Sequence, residues 1–183
     1  MKVRGIITLL TDFGLRDVYV SAMKGVILNI SPTAIIVDIS HNVSRHNIRQ
    51  GAFLLSLVSP YFPKGTVCFS EFGSGVGTSR RRIAIKGQRC LYVGPDNGLL
   101  LPAAKAEGIE KAVEIKDERF TLPTPSTTFE GRDIFAPVAA NLVKGLPIED
   151  LGPEIHDLVE QLIIEPEVKG DRVVGVAIHV GWF

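Results

Sequence analysis

Three short apolar runs, separated by stretches of helical periodicity, constrain this chain more than any other feature. The runs are Gly5 to Leu10, Ala34 to Ile39 and Thr66 to Phe72. Ala34 to Ile39 is nearly continuous in apolar residues, the mark of a strand covered on both faces. Between the first two runs, Asp17 to Ile30 carries Val18, Ala22, Val26 and Ile30 at one-turn spacing, and Ser31-Pro32 closes it. Between the second and third, Asn47 to Val58 reads as a helix that Pro60 and Pro63 end. An order β-α-β-α-β predicts an α/β fold: a mainly parallel sheet with helices on both faces.

The rest of the chain adds smaller pieces. Arg82 to Lys86 and Arg89 to Val93 read as a hairpin turning at Gly87-Gln88, and Gly94-Pro95-Asp96-Asn97-Gly98 as a turn. Leu99 to Glu107 predicts a short helix and Ala112 to Ile115 a strand. Leu122 to Phe129 is a Pro/Thr/Ser loop, and Arg132 to Lys144 a helix with Gly131 before it and Gly145 after it. Three prolines, Pro147, Pro153 and Pro166, bracket an acidic stretch. This divides the chain into an α/β domain over 1–150, a linker over 151–166, and 167–183 as the first strand, over Arg172 to Val180, of a truncated β-rich C-terminal domain. Trp182 and Phe183 at its end are expected to need a neighbour to cover them.

Composition narrows the function. An apolar fraction of 45% and a mean hydropathy of +0.23 supply a core. Twenty basic side chains balance twenty acidic ones, which gives no electrostatic case for nucleic acid or an anionic membrane. No apolar run approaches a membrane span, and the N-terminal one is too short for a signal peptide, so a cytoplasmic protein is expected. Cys68 and Cys90 fit no metal or redox spacing and read as buried thiols of a reducing compartment. His41, His46, His156 and His179 form no ligand pair at helical spacing, so no metal site is expected.

Candidate site residues come from loop positions. Asp12 follows the first apolar run, at the strand end where open α/β sheets bind ligands. Its carboxylate suits a ribose diol, but equally a Mg²⁺ ion or a helix cap, with Asp17 as a competing cap. Gly73-Ser74-Gly75-Val76-Gly77-Thr78 leads toward a strand rather than a helix, which argues against a dinucleotide loop. A bare turn and a loop whose N–H groups approach a ligand both remain open. Arg80-Arg81-Arg82 is a solvated edge or, by strand alternation, a set with Arg80 and Arg82 on one side and Arg81 on the other. Before the last helix, Glu130 is expected to face the crevice, with Asp133 as a dipole partner or a local pair for Arg132.

Five segments occur in this order: Thr11-Asp12-Phe13-Gly14, Asp38-Ile39-Ser40-His41, Gly75 to Arg81, Gly94 to Leu99, and Phe129 to Pro137. Together they resemble the S-adenosylmethionine (SAM) hydroxide adenosyltransferase family, SAM hydrolases related to fluorinase and chlorinase. The resemblance implies a homotrimer whose ligand lies between the α/β domain of one subunit and the C-terminal domain of the next. The implied reaction is water attack at ribose C5′ of SAM, giving adenosine and methionine, with no cofactor. It implies that Asp12 holds the ribose hydroxyls, and that an Asp, an Arg and a His surround the water. Ligand binding is assigned to Asp12, Phe13, Gly75, Thr78, Asp96 and Asn97, and the catalytic positions to Arg80, Glu130 and Gly73.

The chain departs from that pattern. Gly73 stands where the family has Asp in Asp-Pro-Gly-Val-Gly, and Glu130 where it has His before Gly-Arg-Asp. The family's C-terminal His-Val-Asp-Arg-Phe-Gly-Asn is here His179-Val180-Gly181-Trp182-Phe183. The expected function is SAM hydrolysis weakened by these changes. The alternative is a non-catalytic adenosine- or SAM-binding remnant. A halogenase-like transferase suits Gly73, but Glu130 would repel a halide.

Overall fold

The computed structural model describes residues 5–73, 75–161 and 166–181. Its elements are β1 (Ile6–Thr11), α1 (Tyr19–Ile30), β2 (Ile35–Ser40), α2 (Ile48–Val58), β3 (Val67–Glu71), β4 (Arg82–Gly87), β5 (Leu91–Pro95), α3 (Leu101–Glu107), β6 (Ile109–Glu114), α4 (Ala136–Val143), β7 (Glu167–Lys169) and β8 (Arg172–Val174). The sheet order is β2-β1-β3-β5-β4-β6. β2, β1, β3 and β5 run parallel, and β4 is antiparallel to both neighbours. The fold is therefore α/β with a mainly parallel sheet, as the alternation predicts. A small antiparallel pair, β7 and β8, lies near the C-terminus.

Alternate residues of the central strands feed two cores. Ile7 and Leu9 of β1 and Phe69 of β3 meet Met23 and Ile27 of α1 and Val138, Ala139 and Leu142 of α4. On the other face, Leu10, Cys68, Ile85 and Tyr92 meet Leu55 of α2 and Ala103 and Ala104 of α3. Each fully buried large side chain contributes about 1.5–3 kcal/mol, so the two-sided burial of β1 and β3 makes them the rigid centre. Cys68 and Cys90 are free thiols within this core.

Several boundaries differ from expectation. β2 is an edge strand, not a doubly covered one, and Ile35 is 58% exposed. Its apolar run lies beside β1 and, among the described residues, has no strand on its other side. The last helix begins at Ala136, because Gly131–Phe135 winds as a wider π turn before Pro137 starts the α4 ladder. Rather than reaching Val180, β8 stops at Val174, where its pairing with Glu167, the first residue of β7, ends. The segment after the last 3₁₀ turn (Ile148–Leu151) is tied to the α/β domain: Arg81 bonds Asp157, and the Val159 N–H donates to Asp96. Trp182 and Phe183 lie outside the described residues.

Candidate active site

The strand order reverses direction between β1 and β3, since β2 lies on one side of β1 and β3 on the other. Ligands of open α/β sheets bind at the carboxyl ends of strands at such a switch point. Thr11 at the end of β1 pairs with Glu71 at the end of β3. The residues that follow, Asp12 and Phe72-Gly73, are thereby brought side by side.

Asp12 is 5% exposed. It accepts the His46 N–H at 2.7 Å and the Gly73 N–H at 3.4 Å, one on each carboxylate oxygen. Each oxygen keeps a lone pair for a further donor, which a vicinal diol supplies. Neither Asp12 nor Asp17 caps α1: its N-cap position is Val18, which has no side-chain capping bond, and Asp17 Oδ1 accepts only the Val18 N–H at 2.6 Å. Among the described residues no cluster of three His, Cys, Asp or Glu side chains is placed to hold a metal ion. A cavity of about 500 Å3 opens beside Asp12, lined also by Phe13, Gly14, Arg16, Asn42 and Arg45. Phe13 meets the Tyr19 ring edge-on at 4.9 Å, and Tyr19 meets Phe129 at 5.3 Å.

The two histidines of the β2–α2 loop do different work. His41 is buried, with Nδ1 2.8 Å from Thr11 Oγ1 and Nε2 3.1 Å from Asp38 Oδ1. His46 holds φ at +61°, a region non-glycine residues rarely occupy, and this aims its N–H at Asp12. Nothing in the sequence separates these roles.

The glycine loop is a pair of turns. Gly75 and Gly77 have φ of +81° and +77°, and Thr78 Oγ1 donates to the Gly75 carbonyl while accepting the Arg80 N–H. The loop thus delivers Arg80. Arg80 and Arg82 project to one side and Arg81 to the other. Arg80 Nη2 meets Glu130 Oε2 at 2.7 Å, its Nη1 donates to the Phe72 carbonyl at 3.1 Å, and Arg82 Nε meets Glu130 Oε1 at 2.8 Å. Glu130 is 2% exposed and so sits in a dry ion-pair cluster. Asp133 is buried against Arg132 and accepts the Ser126 N–H, which pins the Pro/Thr/Ser loop.

Asp12 accepts the Gly73 N–H, and Arg80 links the neighbouring Phe72 carbonyl to Glu130. The cavity beside Asp12 is not lined by Gly73, Arg80 or Glu130; Arg80 lines a second cavity of about 290 Å3 with Thr78, Ser79 and Ile134. Glu130, expected to face the crevice, is instead buried between Arg80 and Arg82. Asp96 and Asn97 are turned to the linker: Asp96 accepts from Arg81 and from the Val159 N–H, and the Asn97 carbonyl accepts from Gln161. Gly73 is open, since a Cβ built there meets only His46 Cε1 at 3.9 Å.

Sequence reasoning missed Glu71, the 1% exposed last residue of β3. Burial pushes its carboxyl up to about 8; Arg80 opposes this, while Glu130 and Asp12 add to it. The available signal was an acidic residue ending an apolar run, as Asp12 follows the first. Burial also raises the Tyr19 phenol, which accepts the Arg132 N–H at 3.1 Å.

The family model for the SAM hydroxide adenosyltransferase N-terminal domain matches residues 7–152. The chain is 41% identical over 169 residues to a protein of Salinispora arenicola named (R)-S-adenosyl-L-methionine hydrolase, covering 90% of this chain and 64% of that one. It is 28% identical to a fluorinase of Nocardia brasiliensis, covering 97% of this chain and 68% of that protein. The crystal structure of an uncharacterized conserved protein from Thermotoga maritima superposes with a TM-score of 0.91 at 40% identity, over 97% of this chain and 69% of the other. The chain thus spans less than two thirds of the length of the Salinispora hydrolase.

Proposed function

The chain belongs to the SAM hydroxide adenosyltransferase family through its N-terminal domain, and from that premise we propose that it hydrolyses S-adenosylmethionine to adenosine and methionine. Water attacks ribose C5′ as the C5′–S bond breaks. The bonding pair goes to sulfur, which leaves as a neutral thioether and needs no acid. The attacking water must lose a proton. In this reading Asp12 grips the ribose hydroxyls, Arg80 orients the water, and Glu130 accepts the proton in place of the family's His. No cofactor is required. The working form is a cytoplasmic homotrimer, and residues 167–183 begin the C-terminal β domain that closes the pocket of a neighbouring subunit.

One observation carries the proposal. A buried carboxylate with a free lone pair on each oxygen stands at the β1/β3 switch point, beside a cavity of about 500 Å3. The named hydrolase relative adds the substrate class. The second reading, binding without turnover, is favoured by Gly73, which offers no side chain to the water. Loss of a general base costs about 10² to 10⁴ in rate.

The test is incubation with SAM followed by chromatography for adenosine, with calorimetry of adenosine binding in parallel. Adenosine above a buffer blank supports hydrolysis. Binding without release supports the second reading. Asp12→Ala is expected to weaken adenosine binding at least tenfold, since it removes acceptors for both hydroxyls. Unchanged affinity refutes the nucleoside assignment.

A further inference from the structure

Glu71 is a buried acid that the reaction just described does not use. It lies beneath the turn that carries Glu130. A methyl group built on Gly131 would come within 2.0 Å of Glu71 Oε2, 2.9 Å of the Tyr19 oxygen and 3.0 Å of Met23 Sδ. The Gly131 N–H is directed at the Glu71 carboxyl, and the next N–H, from Arg132, donates to Tyr19. Glu71 and Tyr19 therefore floor the first two residues of the π turn, and Glu130 is the residue before it. Among the described residues Glu71 Oε2 has no hydrogen-bond partner. A carboxylate left that way, out of water, costs several kcal/mol, and a proton removes the part of that cost due to the charge.

We propose that Glu71 is a positioning residue: held as an uncharged acid under the Gly131 turn, it keeps Glu130 seated on Arg80, and loss of its proton disengages that pair. The claim rests on reading Arg80 and Glu130 as the catalytic pair. The groups facing Glu71 are Asp12 from the end of β1, Tyr19 from α1, Arg80 from the glycine loop, and Glu130 with the Gly131 N–H from the π turn. Three of these are acidic and one is a cation that Glu130 already occupies. Ionised Glu71 adds a second negative charge beside Glu130 and competes for the Arg80 guanidinium. Nothing else on β3 offers it a counter-ion.

The sign of the linkage follows. Burial pushes the Glu71 carboxyl up to about 8 in the fold, from an ordinary value of 4.5. Between those values the folded state holds a proton that the unfolded chain has released. Stability therefore falls as pH rises through that window and levels off above it. The folding equilibrium constant loses up to about 10³ from this group across the window.

The experiment measures urea unfolding of the wild type, Glu71→Gln and Glu130→Gln at pH 5 and pH 8.5, and adenosine release from SAM at pH 7 and pH 9. In the wild type stability declines with pH, and in Glu71→Gln that part of the decline is gone. In Glu130→Gln the decline shrinks, because the repelling charge is lost and Arg80 is released to Glu71. Adenosine release falls about tenfold from pH 7 to pH 9 in the wild type, as the competent protonated fraction falls. In Glu71→Gln the ratio of the two rates stays near one. Parallel stability profiles in wild type and Glu71→Gln overturn the proposal, and so does an alkaline fall in rate that survives the substitution. If no adenosine forms at any pH while the stability difference and its dependence on Glu130 hold, the hydrolase reading fails and the role of Glu71 stands. Should Glu71→Gln not fold, Glu71→Met removes the same titration.

Discussion

Replacing Glu130 by glutamine is the sharpest test of the ion-pair cluster, because its two arginines differ in burial. The Glu130 side chain is 3% exposed, that of Arg80 6% and that of Arg82 42%. Glutamine keeps the shape and removes the charge. The Arg80 guanidinium is then left in a dry site with its strongest partner neutralised. Breaking a buried pair from one side costs about 3–5 kcal/mol, whereas an exposed pair is worth about 0.2–1 kcal/mol. The Arg80 share therefore decides the outcome, and a loss of about 3 kcal/mol is expected. For a chain of this size that lowers Tm by about 6 to 12 °C. Thermal unfolding followed by circular dichroism at pH 6 measures it, with Arg82→Ala as the internal comparison at less than about 1 kcal/mol. Equal and small losses in the two variants would mean that Arg80 is solvated, and the argument for a dry site would be wrong.

Two further substitutions read the site from its glycines. Gly73→Asp is expected to fold normally, since the Cβ position is open and the φ is not left-handed, and to raise adenosine release about 10- to 100-fold by supplying the acceptor the family pattern carries; an unchanged rate, with Tm preserved, would refute a proton-acceptor role there. Gly131→Ala is expected to cost about 1–3 kcal/mol because its methyl collides with Glu71 and Tyr19, and the double variant Gly131→Ala with Glu71→Ala should recover part of that loss in the same unfolding assay.

What the sequence disclosed and what it hid divide along a physical line. The central strands were legible because burial on both faces writes an apolar run, as in Ile6–Thr11 and Val67–Glu71. β2 misled because its run looks the same at a sheet edge. Arg80 and Arg82 fell together because strand alternation has a period of two. Asp96 and Asn97, which the family resemblance assigns to ligand binding, are also bonded to the linker in the fold. Their partners, Val159 and Gln161, lie more than sixty residues away, and no local pattern announces such a contact. His46 and Glu71 were hidden for a related reason. The strained backbone of one and the buried carboxyl of the other, with Oε2 unpartnered among the described residues, exist only once β1 and β3 are side by side.

Three carboxylates converge here, and their surroundings assign them different tasks. Asp12 is met by two backbone N–H groups, which neutralise nothing but orient its remaining lone pairs. Glu130 is met by two guanidiniums, which balance its charge in a site that water does not reach. Glu71 is met by the Gly131 N–H, by the field of Arg80, which Glu130 already engages, and by the opposing fields of the other two acids. A dry pocket with one buried arginine cannot carry three full negative charges, since each unpaired one costs several kcal/mol. The least cost is reached when the acid with the fewest donors keeps its proton. Environment alone thus sets three residues of nearly identical chemistry apart: one met by two backbone N–H groups, one by two guanidiniums, and one buried with a single oxygen left unpartnered among the described residues.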